Sequence, residues 1–369
     1  MERQKAPTVD IHKLLQTVIE KGASDLHITA AAPPAIRVDG KLYKLKMRPL
    51  TPTDTQEIAY SLLTEKQRKA FETNNEVDMS FKWKDKGRFR ANFFRQKGAV
   101  AGVLRMIPTA ILTMEKLGLP TILTSVVDRP NGLFLVTGPT GSGKSTTLAA
   151  VVHEINRRHR GHILTIEDPI EFLHDHHNCI VNQREVGSDT NSFSDALRYA
   201  LRQDPDFVLI GEVRDRDTME TALRIAETGH LTLATLHTNT AIQTIHRILD
   251  FFPADQQDSV RTQLSFTLQA ILSQKLLRKP DGRGRALVYE LLMPNHAIRH
   301  LIRDDKTHQI YSQMQVGQKE SGMLTMNQCL IQLLEKGMIS RDAAWKASPD
   351  QQEFTKMLRG VMDPKEKGA

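Results

Sequence analysis

The chain has 369 residues, 40% of them hydrophobic, and 50 Lys and Arg against 43 Asp and Glu leave a net charge of +7. That length predicts two or three domains with sizeable cores, which excludes a globally disordered chain, and the mild positive charge permits an anionic partner without requiring one. Two cysteines, Cys179 and Cys329, exclude a disulfide scaffold and a four-cysteine zinc site.

Residues 1–10 are charged and lack the apolar core of a secretory signal, and no apolar run approaches the ~18 residues of a membrane span. The expectation is a reduced, cytoplasmic chain that meets a membrane only through partners. Residues 1–108 read as a mixed α/β domain. Ile11, Leu14, Leu15, Val18 and Ile19 recur at helical spacing, and Gly22 follows as a stop. Leu26, Ile28, Ile36 and Val38 flank a Pro33-Pro34 turn and predict short strands. Residues 55–71 predict one helix. Residues 81–104 predict strands, with Arg88, Arg90 and Asn92 on one face and Phe89, Ala91 and Phe93 on the other. Pro108 ends this pattern, and residues 109–116 read as a linker.

From residue 117 short apolar runs alternate with helical stretches, the pattern of a parallel sheet covered by helices. Runs at 133–136, 163–166, 207–210 and 231–236 each end in polar or glycine residues. Ligands in open α/β sheets bind outside the carboxyl ends of the strands, so four strand ends are expected to meet at one site. Residues 285–369 are expected to be mostly helical, with Leu330, Leu333 and Leu334 on one face and 363–369 a frayed charged tail. The fold class expected is therefore α/β throughout.

The strongest chemical signal is Gly138-Pro139-Thr140-Gly141-Ser142-Gly143-Lys144-Ser145, which fits G-x-x-x-x-G-K-[ST] directly after a predicted strand and before a predicted helix that begins with Thr146. Glycines let backbone N–H groups turn toward phosphate oxygens, and the helix N-terminus adds its dipole. Lys144 is placed to reach the β- and γ-phosphates, and the Ser145 hydroxyl to ligate Mg²⁺. At the second strand end Glu167, Asp168 and Glu171 crowd together around Pro169, an arrangement suited either to orienting water beside a nucleotide or to a solvated helix start. The third strand runs into Gly211-Glu212, a Walker B form with Glu where Asp is usual. Around the fourth lie His230 and His237-Thr238, able to donate to a γ-phosphate or to serve as satisfied structural histidines.

The basic, aromatic-rich stretch from Lys82 to Arg105 admits a single-strand nucleic-acid platform, a merely solvated strand face, or arginine fingers for a nucleotide on a neighbouring subunit. His174-Asp175-His176-His177-Asn178-Cys179 carries metal-type side chains, but its cramped spacing predicts a solvated loop rather than a metal site.

Together these segments resemble the PilT-like retraction ATPases of type IV pili, within the GspE/PulE/PilT secretion ATPase superfamily. The likeness also runs through Ala23-Ser24-Asp25-Leu26-His27, Gly87-Arg88-Phe89-Arg90-Ala91-Asn92, Ile166-Glu167-Asp168-Pro169-Ile170-Glu171 (the acidic box), Val181-Asn182-Gln183-Arg184-Glu185, Gly229-His230 through Leu236-His237-Thr238 (the histidine box), and Ala297-Ile298-Arg299-His300-Leu301-Ile302-Arg303. The resemblance implies a PAS-like N-terminal domain, and a RecA-like P-loop ATPase domain over 117–369 with a helical C-terminal extension. It implies a homohexamer that uses ATP and Mg²⁺ to power pilus retraction and twitching motility. Glu171 would polarise the attacking water. Ser145 and Glu212 would serve Mg²⁺, Glu212 directly or through water. Arg90 and Arg105 would reach the nucleotide. Glu167, His230 and His237 would complete the catalytic set, and Gly138, Pro139, Thr140, Gly141, Ser142, Gly143, Lys144, Ser145 and Thr146 the nucleotide-binding one. The implied partners are an inner-membrane pilus platform protein and paralogous pilus ATPases, with no direct nucleic acid, and the implied place is the cytoplasmic side of the inner membrane. Extension-type relatives usually carry a four-cysteine zinc motif and a longer N-terminal region, so extension is disfavoured. Two competing readings are a nucleic-acid motor on the same core and a non-catalytic ring subunit assisting a paralogous motor. In the 297–303 segment, Ile298, Leu301 and Ile302 are expected to be buried, and Arg299 and Arg303 to share an exposed face that is either merely solvated or couples ring motion to the pilus machinery or to a neighbouring subunit.

Overall fold

The computed structural model describes residues 9–38, 40–84, 87–107, 110–316 and 321–362. Pro108 and the expected tail at 363–369 lie outside them. The chain divides into two compact units, Met1–Ala110 and Ile111–Ala369.

In the first unit the helix Ile11–Glu20 starts where the Asp10 side chain accepts from the His12 N–H at 2.9 Å, and it buries Ile11, Leu14, Leu15 and Val18. Six strands follow: β1 (Asp25–Ile28), β2 (Ala35–Val38), β3 (Lys41–Lys44), β4 (Glu76–Trp83), β5 (Gly87–Gln96) and β6 (Ala99–Ile107). They form one antiparallel sheet in the order β3-β2-β1-β6-β5-β4. The helix expected over 55–71 is two, Pro52–Leu62 and Glu65–Asn74. Thr64 breaks it by accepting from the Gln67 N–H while Gln67 takes the Thr64 N–H, a capping box that starts a new helix. β5 and β6 are joined by Lys97-Gly98, both at positive φ, as a two-residue hairpin turn requires. Phe89, Ala91 and Phe93 are buried and Arg88, Arg90 and Asn92 are not, the alternation expected from the sequence.

The second unit is built on seven strands: β7 (Gly132–Thr137), β8 (His162–Glu167), β9 (Ile180–Glu185), β10 (Phe207–Ile210), β11 (Leu231–Leu236), β12 (Leu268–Arg278) and β13 (Arg285–Leu292), in the order β13-β12-β7-β11-β10-β8-β9. All neighbours pair in parallel except β12 with β13. Alternate residues of the central strands enter opposite cores. Leu133, Leu135, Val208 and Ile210 face one, and Phe134, Val136, Phe207 and Leu209 the other. Helices must therefore cover both faces, and Lys144–Arg158 lies in the second core while Arg216–Glu227 and Ala241–Asp250 lie in the first. Met114 and Leu119 also pack into the second core, so this unit's ordered chain begins before residue 117.

The stretch expected to be mostly helical opens with a strand, Arg285–Leu292. It pairs antiparallel with β12, and Ala286 and Val288 face a separate core made with the helices Met326–Glu335, Arg341–Ala347 and Gln351–Met362. Leu330, Leu333 and Leu334 lie in that core. The helix His296–Arg303 buries Ile298 and Ile302, with Leu301 partly buried. Arg299 is not on an exposed face with Arg303. Its guanidinium donates to the carbonyls of Ser265 and, at 3.0 Å, Phe266, closing the end of the helix Ala254–Thr267, a role that spacing within one helix cannot reveal. Among the described residues no helix is long and apolar enough to cross a membrane.

Candidate nucleotide-binding and catalytic site

β7 ends at Thr137, whose hydroxyl bonds Ser273 Oγ at 2.8 Å on β12. The next residue, Gly138, lies against β12 so closely that a Cβ would sit 2.3 Å from the Gln274 carbonyl oxygen. Gly138, Gly141 and Gly143 all have positive φ, which lets the chain curl into a loop and enter the helix Lys144–Arg158 with no side-chain cap on its N-terminus. Lys144 Nζ donates to the carbonyls of Gly138 at 2.8 Å and Pro139 at 3.3 Å, so the ammonium spans the mouth of the loop. Burial pushes its pKa down, against the charges of Glu212 and Glu171, which pull it up. Those charges reach Lys144 because β7, β8 and β10 end on the same side of a parallel sheet. Pro139, Thr140 and Gly141 are exposed at the loop tip, and Ser145 and Thr146 are half-buried in the first turn. Ser142 Oγ is buried without a hydrogen-bond partner.

A residue the sequence reading missed braces this loop. Gln274, 1% exposed, donates to the Ser142 carbonyl at 2.7 Å and accepts from Thr147 Oγ1 at 2.9 Å, tying both the loop and the first turn of its helix to β12. The polar run Ser273-Gln274-Lys275, flanked by apolar residues on both sides, is the signal that could have found it.

The acidic segment is held just as firmly. Glu167 accepts from Thr165 Oγ1 at 2.7 Å, from Gln183 Nε2 at 3.1 Å and from the Glu171 N–H; burial pushes its carboxyl pKa up despite these donors. Glu167 thus acts as the seat of Glu171. The Ile170 N–H donates to buried Glu185 at 3.0 Å, and Gln183 bonds the Phe172 carbonyl at 2.8 Å and accepts from the His174 N–H at 2.8 Å. β9 therefore clamps the loop that carries the half-buried Glu171.

Glu212 follows β10. One carboxylate oxygen accepts from Arg214 at 2.8 Å and the other lies 3.2 Å from His237 Nε2. Burial raises its pKa, but the Arg214 hydrogen bond with the charges of Arg214, His237 and Lys144 outweighs burial, and the net direction is down. Thr235 Oγ1 donates to the Gly211 carbonyl at 2.6 Å, pinning the turn before Glu212 to β11. His237 is exposed at the carboxyl end of β11. His230 is a correction to the expected cluster. It precedes β11, with Nδ1 3.2 Å from the Ile225 carbonyl, and six residues of strand put it about 20 Å from the strand end that carries His237.

In the first unit Arg37, Asp25, Arg105, Arg90 and Ser80 stand in one row across β2, β1, β6, β5 and β4. Asp25 takes a hydrogen bond from Arg105 Nε at 2.8 Å. Burial raises its pKa, but that bond with those of Ser24 and the arginine charges holds it below the usual carboxylate value. One aspartate beside three arginines leaves the row cationic. The buried rings of Phe89 and Phe93 point the other way, so this face lacks their stacking surface.

The histidine-rich segment is a loop with Asp175, His176, His177 and Asn178 exposed, as expected, and its backbone is braced from one side. The Asn156 amide, on the helix Lys144–Arg158, donates to the Asp175 carbonyl at 2.7 Å and accepts from the N–H groups of His177 at 3.2 Å and Cys179 at 3.1 Å. Among the described residues no three His, Cys, Asp or Glu side chains are grouped to hold a metal. Around Lys144 the oxygen donors are the Ser145 hydroxyl and acidic carboxylates, a set that suits a hard cation arriving with its own phosphate and water ligands.

Residues 2–340 match the family described as type II/IV secretion system protein. The chain is 49% identical over 336 residues to a protein of Pseudomonas aeruginosa named type IV pilus retractation ATPase PilT, covering 91% of this chain and 97% of that one. It is 44% identical over 351 residues to the type IV pilus ATPase PilU of the same organism, covering 95% and 92%. A crystal structure titled as the pilus retraction motor PilT with bound ADP superposes with a TM-score of 0.90 at 55% identity, over 95% of this chain and all of that one.

Proposed function

The chain belongs to the type II/IV secretion system protein family, and from that premise we propose that it is a PilT-like ATPase whose hydrolysis of ATP powers type IV pilus retraction and twitching motility as a homohexameric ring. The observation that carries this reading is the convergence of Lys144 with Glu171 and Glu212 at the strand ends beside a glycine loop. A phosphate-binding loop alone would bind a nucleotide; the two carboxylates add what hydrolysis needs.

The backbone N–H groups of the loop and helix start hold phosphate oxygens, and Lys144 exchanges its carbonyl contacts for the β- and γ-phosphates. Mg²⁺, held by Ser145 and Glu212, would neutralise charge on the phosphates when bound. Glu171, seated by Glu167 and β9, orients water for in-line attack and takes its proton. His237, bonded to Glu212, contacts the γ-phosphate region. Arg90 and Arg105 serve as cationic fingers for a nucleotide held by a neighbouring subunit. Most of the rate gain comes from positioning and electrostatics.

In this reading residues 1–108 are a PAS-like domain joined through 109–116 to a RecA-like ATPase domain. The ring works from the cytoplasmic face on a platform protein of the inner membrane, alone or beside a paralogous ATPase. The experiment is deletion and complementation in the native host, scoring surface pilus number and motility together with turnover of the purified ring. Excess pili without motility, reversed by the wild-type chain, supports the proposal. Unchanged pilus number and motility contradicts it.

A further inference from the structure

Glu290 lies on β13, 2% exposed, outside every motif of the nucleotide site. Its carboxylate sits between the first turns of two helices. One oxygen accepts from the Ala241 N–H at 2.7 Å and the other from the Met326 N–H at 3.4 Å. Both helices already have threonine caps: Thr240 accepts from the Gln243 N–H and Thr325 from the Gln328 N–H. The carboxylate is therefore not needed to start either helix, and what it adds is a fixed distance between them. A buried carboxylate costs desolvation, visible here as a pKa pushed up by burial against the two N–H donors and Lys275, so its presence asks for a reason.

The chain just before Ala241 supplies one. Residues 237–240 leave the end of β11, and His237 Nε2 lies 3.2 Å from Glu212. Thr238 Oγ1 bonds Thr244 Oγ1 at 2.7 Å, so the segment folds back onto the first turn of the helix Ala241–Asp250 and moves with it. The helix Met326–Glu335, at the other oxygen, is embedded in the C-terminal core with Val288 and Phe354. Fixing Ala241 against that core fixes where His237 stands.

We propose that Glu290 is a positioning residue that holds the His237 segment over Glu212 by anchoring the start of the helix Ala241–Asp250 to the helix Met326–Glu335. The inference rests on the reading of His237 as a group of the nucleotide site. Glu290→Gln keeps the volume and one acceptor oxygen but turns an amide donor toward an N–H. Glu290→Ala removes both links.

The test is a double-mutant cycle on the purified ring: ATP turnover and the affinity for a fluorescent ADP analogue for wild type, Glu290→Gln, Glu290→Ala, His237→Ala and the Glu290–His237 double variants. The expected result is ADP-analogue affinity within about threefold of wild type throughout, with kcat about tenfold lower in Glu290→Ala and less reduced in Glu290→Gln. Each double variant should be no slower than His237→Ala alone, because a residue acting only through His237 has nothing left to act on. A merely structural role would multiply the two losses, and that outcome overturns the inference while leaving His237 in the site. Wild-type turnover by His237→Ala overturns the reading of His237 and the inference with it. Should Glu290→Ala fail to assemble, the cycle stands on Glu290→Gln, and an unchanged kcat in that variant counts against the proposal.

Discussion

Nε2 of His237 lies 3.2 Å from Oε1 of Glu212, joining the ends of β10 and β11 at the mouth of the glycine loop. Against burial, the Arg214 hydrogen bond at 2.8 Å to the other carboxylate oxygen helps hold the Glu212 pKa below its ordinary value beside Lys144. Replacing Glu212 by Gln removes the charge and retains the shape. Turnover should fall about 100-fold, and the magnesium concentration needed for half-maximal activity should rise, as read from steady-state rates across a Mg²⁺ titration. An unchanged magnesium requirement would place Glu212 outside the metal's surroundings.

Lys144→Ala should abolish measurable turnover while the ring still assembles. Among the described residues the ammonium donates to the Gly138 and Pro139 carbonyls, and these are loop contacts rather than packing. Size-exclusion chromatography and a phosphate-release assay on one preparation separate the two effects. Near-normal hydrolysis would remove the phosphate-loop assignment.

Glu171→Gln and Glu167→Gln should differ in degree. Glu171→Gln should bind nucleotide and lose hydrolysis by 100-fold or more, roughly the contribution of a positioned base. Glu167, whose pKa burial already pushes up, seats Glu171 through its backbone N–H. Its amide variant should cost about tenfold or less. The reverse ranking in single-turnover rates would exchange their roles.

Arg90→Ala and Arg105→Ala should each lower turnover. Arg90 and Arg105 stand opposite one another on β5 and β6, and Arg105 Nε donates to Asp25 at 2.8 Å. A ring mixed from Arg90→Ala subunits and Lys144→Ala subunits should recover part of the activity that neither has alone. No recovery across mixing ratios, with mixed rings demonstrated by affinity tags, would count against action between subunits.

His174 carries a pH prediction. Burial, together with the His153 charge, pushes its pKa down to about 4, against the smaller pull of Asp175. The unfolded chain binds a proton near the ordinary value of about 6.5 while the folded chain does not, so stability is lost as pH falls from that value toward 4. The slope contributed is at most about 1.4 kcal/mol per pH unit. His174→Gln should flatten that part of the denaturant-midpoint curve between pH 7 and 5. An unchanged curve would mean that His174 titrates alike in both states.

How far the sequence carries depends on what each residue faces. β7, β8, β10 and β11 were legible as continuous apolar runs ending in chemistry. β12 was not, because Ser273, Gln274 and Lys275 interrupt it. Their polar groups are satisfied by Thr137, by the glycine loop with Thr147, and by the Ala347 carbonyl, partners distant in sequence. β13 falls within the stretch read as mostly helical, and it is a strand because β12 is there to pair with it. Arg299 looked solvent-facing because the Ser265 and Phe266 carbonyls that receive it lie on another helix. His230 and His237 flank the same strand and looked equivalent, yet a strand has two ends, and only His237 stands at the carboxyl one.

The most direct test is the retraction rate of fluorescently labelled pili in cells whose only copy of this chain carries Glu171→Gln. If this site drives retraction, the cells remain piliated and retraction events fall to the level of a deletion strain, while the variant is present at normal abundance. Retraction at the wild-type rate in those cells would contradict the account.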